Sequence, residues 1–152
     1  MKEIRLTVQS VLSDPKTDTQ IVILRDETNT EMLPIWVGAV EGNAIRFALE
    51  GIIPPRPMTH DLLKDLLEHM NIQPLKVVIN EIKNNTYYAT IHLLAKEKIH
   101  TVDSRPSDAI AVALRTNIPI YALDSVLREK SSENLDSWLQ KLHPKDFGKY
   151  NA

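Results

Sequence analysis

The spacing of apolar residues along this 152-residue chain changes period several times. Ile4, Leu6 and Val8 alternate with Arg5, Thr7 and Gln9, the pattern of a half-buried strand. Ile21-Val22-Ile23-Leu24 is apolar without a break and reads as a more deeply buried strand. A polar turn, Asp26-Glu27-Thr28-Asn29-Thr30, leads to a hairpin partner over 33–37, where Pro34 marks an edge or bulged position. The period then becomes helical. Ala44, Ile45, Ala48, Leu49 and Ile52 share one face, and Gly51 with Pro54-Pro55 ends that helix. Leu62, Leu63, Leu66, Leu67 and Met70 form the cleanest helical stripe in the chain, and Leu62, Leu63, Leu66 and Leu67 are expected in the core. Strand patterns return from Val77, turn at Asn84-Asn85, run back over 87–95, and turn again at Lys96-Glu97 into 99–102. A helix buried through Ala109, Val112 and Ala113 follows, then a short strand over 118–122. A last helix carries Leu135, Trp138, Leu139 and Leu142 on one side. The order βββααβββαβαα is segregated rather than alternating. It predicts an α+β fold with a mixed or antiparallel sheet packed with helices: one domain over 1–130, with 131–152 as a C-terminal helical extension packed on it.

Composition narrows the function classes. The chain is 43% hydrophobic and 25% charged, ordinary for a globular protein. It has no cysteine, which excludes a disulfide framework and Cys-ligated zinc and fits a cytoplasmic location. No signal-peptide pattern opens the chain and no apolar run is long enough to span a membrane, so no membrane partner is expected. A net charge of −2 argues against binding duplex DNA through a broad basic face. It leaves a metal-dependent nuclease open, since such a site is itself acidic. Four glycines form no phosphate loop or dinucleotide fingerprint, and neither His-Glu-x-x-His nor Gly-x-Ser-x-Gly is present. Glu81-Ile82-Lys83 matches a short nuclease-core pattern that arises easily by chance and lacks a preceding Pro-Asp strand.

The candidate chemistry sits in a phrase that occurs twice. Arg56-Pro57-Met58-Thr59-His60-Asp61 opens one helical stretch, and Arg105-Pro106-Ser107-Asp108 opens another. Each places a fixed positive charge, a proline and a carboxylate at a helix start, with Thr59 and Ser104 as the expected N-caps. Unpaired N–H groups and the helix dipole favour an anion there. Arg56, Arg105 and Ser107 are the candidate phosphate ligands. His60, Asp61, Asp103 and Asp108 are the candidate catalytic groups; Asp61, Asp103 and Asp108 would hold magnesium or manganese, which prefer oxygen ligands. Glu41, Glu50 and His100 lie near these runs in sequence. The alternative is plain capping chemistry with surface ion pairs. Tyr87-Tyr88 reads as sheet packing before base stacking. His69 and His92 read as structural or solvated, and His143 carries no assigned role.

Leu33-Pro34-Ile35-Trp36-Val37-Gly38 with Glu41, the Arg-Pro-x-Thr-His-Asp phrase, and Asp103-Ser104-Arg105-Pro106-Ser107-Asp108-Ala109 together resemble the bifunctional nuclease domain family. The resemblance spans about residues 1–130. The family pattern has alanine after the glutamate, where Gly42 stands here. The chain ends in one short helix rather than the UVR-type module some members carry. The resemblance implies an α+β fold, DNase and RNase activity, and self-association as a homodimer or larger homo-oligomer, to which the Leu135/Trp138/Leu139 face adds support. Three readings stand open: a nuclease acting on DNA or RNA, metal-assisted or not; a non-catalytic module whose Arg-Pro helix starts capture an anion or a partner; and a structural role. All require the two phrases to be placed, and they are expected to meet in one polar locus.

Overall fold

The computed structural model describes residues 2–130; the predicted last helix lies outside them. Seven strands and four helices follow one another in the segregated order expected for that span. They are β1 (Glu3–Ser13), β2 (Thr19–Arg25), β3 (Met32–Gly38), α1 (Ala39–Glu50), α2 (Thr59–His69), β4 (Gln73–Lys83), β5 (Thr86–Ala95), β6 (Lys98–Ser104), α3 (Pro106–Thr116), β7 (Ile120–Leu123) and α4 (Asp124–Lys130). All strands join one sheet in the order β3-β2-β1-β7-β4-β5-β6. β7 runs parallel to β4 and antiparallel to β1, and every other pairing is antiparallel. The sheet is therefore mixed, with β7 inserted between two meanders.

The apolar run at 21–24 lies in β2, one strand in from the edge, and all four residues are buried. Its two faces serve different clusters. Val22 and Leu24 join the main core, whereas Ile21 and Ile23 pack with Leu12 and Met32. That division explains why the run does not alternate. Pro34 sits in β3, the edge strand, where its missing N–H costs no ladder bond to a further neighbour. Asn84 and Asn85 both take positive φ (52° and 60°), the geometry of a two-residue hairpin turn.

α3 holds the centre of the helical layer. It touches α1 and α2 and rests on β4 and β5. Ala109, Ile110, Ala111, Val112 and Ala113 are all buried, and the alanines permit that close approach. The expectation for α2 is corrected here. Leu62, Leu63 and Leu66 are 52, 40 and 51% exposed, Leu67 is half-buried, and the only buried residue of the helix is His60. The stripe is real, but periodicity says only that a face needs cover, not which element covers it. α3 already occupies the sheet beside α2, so no described element lies over the stripe. Gly42 also finds its reason. A Cβ there would stand 1.9 Å from Gln20 Oε1, so the glycine makes room for the buried Gln20 side chain.

Candidate functional site

The two Arg-Pro phrases begin their helices in different registers. In α3 the N-cap is Arg105 and Pro106 is the first helical residue. In α2 the N-cap is Met58, so Pro57 and Arg56 lie outside the helix. Thr59 and Ser104 are therefore not the caps. What the registers share is a carboxylate at the third helical position, Asp61 in one and Asp108 in the other.

The carboxylates then diverge. Asp61 turns back on its own helix and accepts from the Met58 N–H at 2.9 Å; it also accepts from Arg115 Nε at 2.7 Å. Asp108 spans between elements. It accepts from Arg105 Nε (2.8 Å, Oδ2) and Nη2 (3.1 Å, Oδ1), and its Oδ1 lies 2.9 Å from His60 Nε2. Arg105 Nη1 reaches Glu41 Oε1 at 3.4 Å. A chain of bonds thus runs from α2 through α3 to α1: His60, Asp108, Arg105, Glu41. The Arg105 guanidinium holds the Asp108 carboxyl below its ordinary range against the upward push of burial, and His60 adds to the lowering. Asp108 in turn, with Glu41, pushes Arg105 further up. For Asp61, burial pushes upward, but the Met58 N–H and Arg115 outweigh it and the net shift is down.

This cluster forms the polar end of a groove of about 770 Å³ between α2 and the β5–β6 hairpin. Thr59, His60, Arg105 and Asp108 line that end, and Leu63, Leu66, Met70, Leu93 and Val102 line the rest. On its other side Arg105 borders a second cleft of about 390 Å³ with Glu41, Ser107, Tyr87 and Trp36. Arg105 is thus the partition between the two.

The structure brings His60, Arg105 and Asp108 together and adds Glu41. Ser107 is buried at the floor of the second cleft. Arg56 is exposed, lines neither cleft and makes no ion pair with a described residue. Asp103 lines the groove, but its neighbour Val102 stands opposite Ile91 on the helical face, so strand alternation turns the Asp103 side chain to the other face. Glu50 and His100 are exposed and outside the network. Among the described residues no three His, Asp or Glu side chains gather to hold a metal ion. Asp61 and Asp108 have arginine partners instead, so Asp61, Asp103 and Asp108 do not fit a preformed magnesium or manganese cage.

Sequence reasoning missed Arg115. It lies in the last turn of α3, 8% exposed, and donates to Asp61 and to Ala111 O (3.0 Å). Its position seven residues, about two helical turns, beyond Asp108, on an otherwise small and apolar helix, was the available signal.

Comparison with known proteins returns one family. The bifunctional nuclease domain matches residues 22–134. An uncharacterized protein of Mycobacterium tuberculosis is 31% identical over 166 aligned positions, covering 97% of this chain and 98% of that protein. Bifunctional nuclease 1 of Oryza sativa subsp. japonica is 30% identical over 72% of this chain and 34% of its own length. Bifunctional nuclease 2 of Arabidopsis thaliana is 28% identical over 65% and 31%.

Proposed function

The chain belongs to the bifunctional nuclease domain family, and on that premise we propose that it cleaves phosphodiester bonds in nucleic acid at the polar end of the α2–β6 groove. The observation that carries this reading is the His60–Asp108–Arg105 relay. An ionised carboxylate only accepts, so His60 Nε2 holds its proton toward Asp108 and Nδ1 is left as the basic nitrogen. Nδ1 takes the proton of the attacking hydroxyl, from water or, in RNA, from a ribose. Arg105 binds a phosphate oxygen through N–H donors beyond the three it spends on Asp108 and Glu41. Arg56, exposed nearby in sequence, supplies a second cation. DNA and RNA share the phosphodiester, so both are substrates in this reading. No step is routed through a metal ion.

A second reading, a non-catalytic clamp or partner-binding module, has its own support. Arg105 and Arg115 face Glu41, Asp61 and Asp108, so the cluster is already neutralised and ties three helices together. One experiment separates the two. Labelled single-stranded DNA and RNA are incubated with wild type, His60→Gln and Arg56→Ala, each with EDTA and with magnesium or manganese. The nuclease reading expects cleavage that survives EDTA, falls about 100-fold or more in His60→Gln, and drops in Arg56→Ala without a change in Tm. Cleavage equal in wild type and His60→Gln, or absent from both, supports the clamp. Cleavage abolished by EDTA and restored by manganese would replace the acid–base assignment with a metal-dependent one.

A further inference from the structure

The second cleft, across Arg105 from the groove, has no part in the cleavage step above. Arg105, Pro106 and Ser107 line it, so the start of α3 opens onto it. Pro106 has no N–H, and the first intrahelical bond runs from the Ala109 N–H to Arg105 O. No side chain caps this 11-residue helix, and the Asp108 carboxylate is spent on Arg105 and His60. The Ser107 and Asp108 N–H groups are thereby left for an acceptor from outside the helix. A second feature of the cleft is independent of the helix start. Ser107 is 7% exposed and lines the cleft, yet its hydroxyl has no hydrogen-bond partner among the described residues. Buried hydroxyls are normally paired. Two N–H groups, a hydroxyl and the positive end of the helix dipole can all donate to one anion with several oxygens, as a phosphate has. Arg105 adds its charge at the rim. Trp36, 44% exposed, and Tyr87 give the same cleft flat aromatic surface. Its volume of about 390 Å³ is that of a small-ligand site. One carboxylate, Glu41, is in the lining. It accepts from Arg105 and lies against Gly38 at the start of α1, so it answers that helix rather than α3.

We propose that the second cleft binds a phosphomonoester carrying a nucleobase. The Ser107 and Asp108 N–H groups and the Ser107 hydroxyl hold the phosphate, and Trp36 stacks the base. The site stands on the opposite side of Arg105 from the groove, with that side chain as the common wall. The inference rests on the cleft and does not depend on cleavage.

The chain has two tryptophans. In full-length Trp138→Phe protein Trp36 is the sole indole, and its emission reports the cleft. Adenosine 5′-monophosphate should quench it saturably, and adenosine should bind about 10-fold or more weakly for want of the charged acceptor. Ser107→Ala should weaken binding of the monophosphate by about 10-fold while leaving the Tm of the free protein unchanged, since the hydroxyl has no partner to lose. Glu41→Gln should tighten binding, because a like charge leaves the cleft. Phosphorothioate dinucleotides with and without a 5′-phosphate separate the two sources of such a group. If the phosphorylated one competes with the monophosphate, a strand end is a ligand; if neither competes, the ligand is the free nucleotide. No saturation by about 10 mM monophosphate, equal affinity for adenosine, or a Ser107→Ala affinity equal to that of the parent overturns the proposal. Inorganic phosphate binding as tightly as the monophosphate overturns it too, since the base then contributes nothing. No cleavage is measured, so the nuclease reading can fail with this site intact, and the reverse.

Discussion

Arg115→Met removes the guanidinium that donates to Asp61 and leaves an unbranched apolar stem in its place. The Arg115 side chain is 8% exposed and that of Asp61 28%. A hydrogen bond to a charged group contributes about 1.5–3 kcal/mol, and stripping one member from a fully buried pair costs about 3–5 kcal/mol. Asp61 keeps the Met58 N–H and some solvent, so the lower range applies and the expected loss is about 2 kcal/mol. For a chain of this size that is about 4–8 °C in Tm. Urea unfolding at pH 7 measures it directly. The loss should also depend on pH. The folded Asp61 carboxyl is held below its ordinary value of 3.8, so as pH falls the unfolded chain binds protons first. The contribution of the pair is complete above that ordinary value and disappears as pH falls through the lower, folded one. Wild-type and Arg115→Met stabilities should therefore converge in acid. A loss under about 0.5 kcal/mol at pH 7, the size expected of an ordinary surface change, would refute the reasoning, as would a loss that does not shrink in acid.

Arg105→Gln should cost less than about 1 kcal/mol in the same assay despite breaking two ion pairs, because the side chain is 62% exposed. Gly42→Ala should destabilise by about 1–3 kcal/mol through overpacking on Gln20, and Gln20→Ala should recover part of it by removing the Oε1 and Cδ contacts, with the Cβ contact at 2.9 Å left, and the buried Oε1 that lacks a partner. Lys96→Asn with Glu97→Gly should raise stability by about 1 kcal/mol, since both residues now hold positive φ (52° and 64°) at a turn that favours Asn-Gly; an unchanged or lower Tm would count against it.

Element order was legible because period and turn chemistry agreed. The 21–24 run, the Asn84-Asn85 turn and Pro34 at an edge each had a local cause that tertiary packing left in place. The α2 stripe was legible as a helix face but not as core, since what covers a face is a tertiary matter that periodicity does not fix. The site was half legible. Local pattern marked His60, Arg105 and Asp108, and the fold joined α2 to α3 across 48 residues of sequence. It did not mark Arg115, whose importance comes only from where Asp61 lands. Nor did it show that the two Arg-Pro phrases differ in register by two residues, which places Arg105 at a helix N-cap within the network and Arg56 in the loop outside it.

That difference in register bears on how a nucleic acid could be held. The network contains two arginines and three carboxylates, so with His60 neutral it carries no excess positive charge, and the whole chain is at −2. A polyanion approaching this surface meets no strong attractive field of the kind that dominates sequence-independent duplex binding. What it meets is geometry: the spare donors of Arg105, fixed in plane by Asp108 and Glu41, and a cation at Arg56 with no described partner to displace. Few phosphates can be neutralised at once by such a site. Affinity for nucleic acid should then fall only weakly with salt, since each neutralised phosphate contributes about −0.7 to the slope for a single strand. A reaction confined to one phosphodiester needs no more than that, whereas a protein built to coat DNA would. The balanced charges therefore favour a site that acts on one linkage at a time, held by directed hydrogen bonds rather than by net charge.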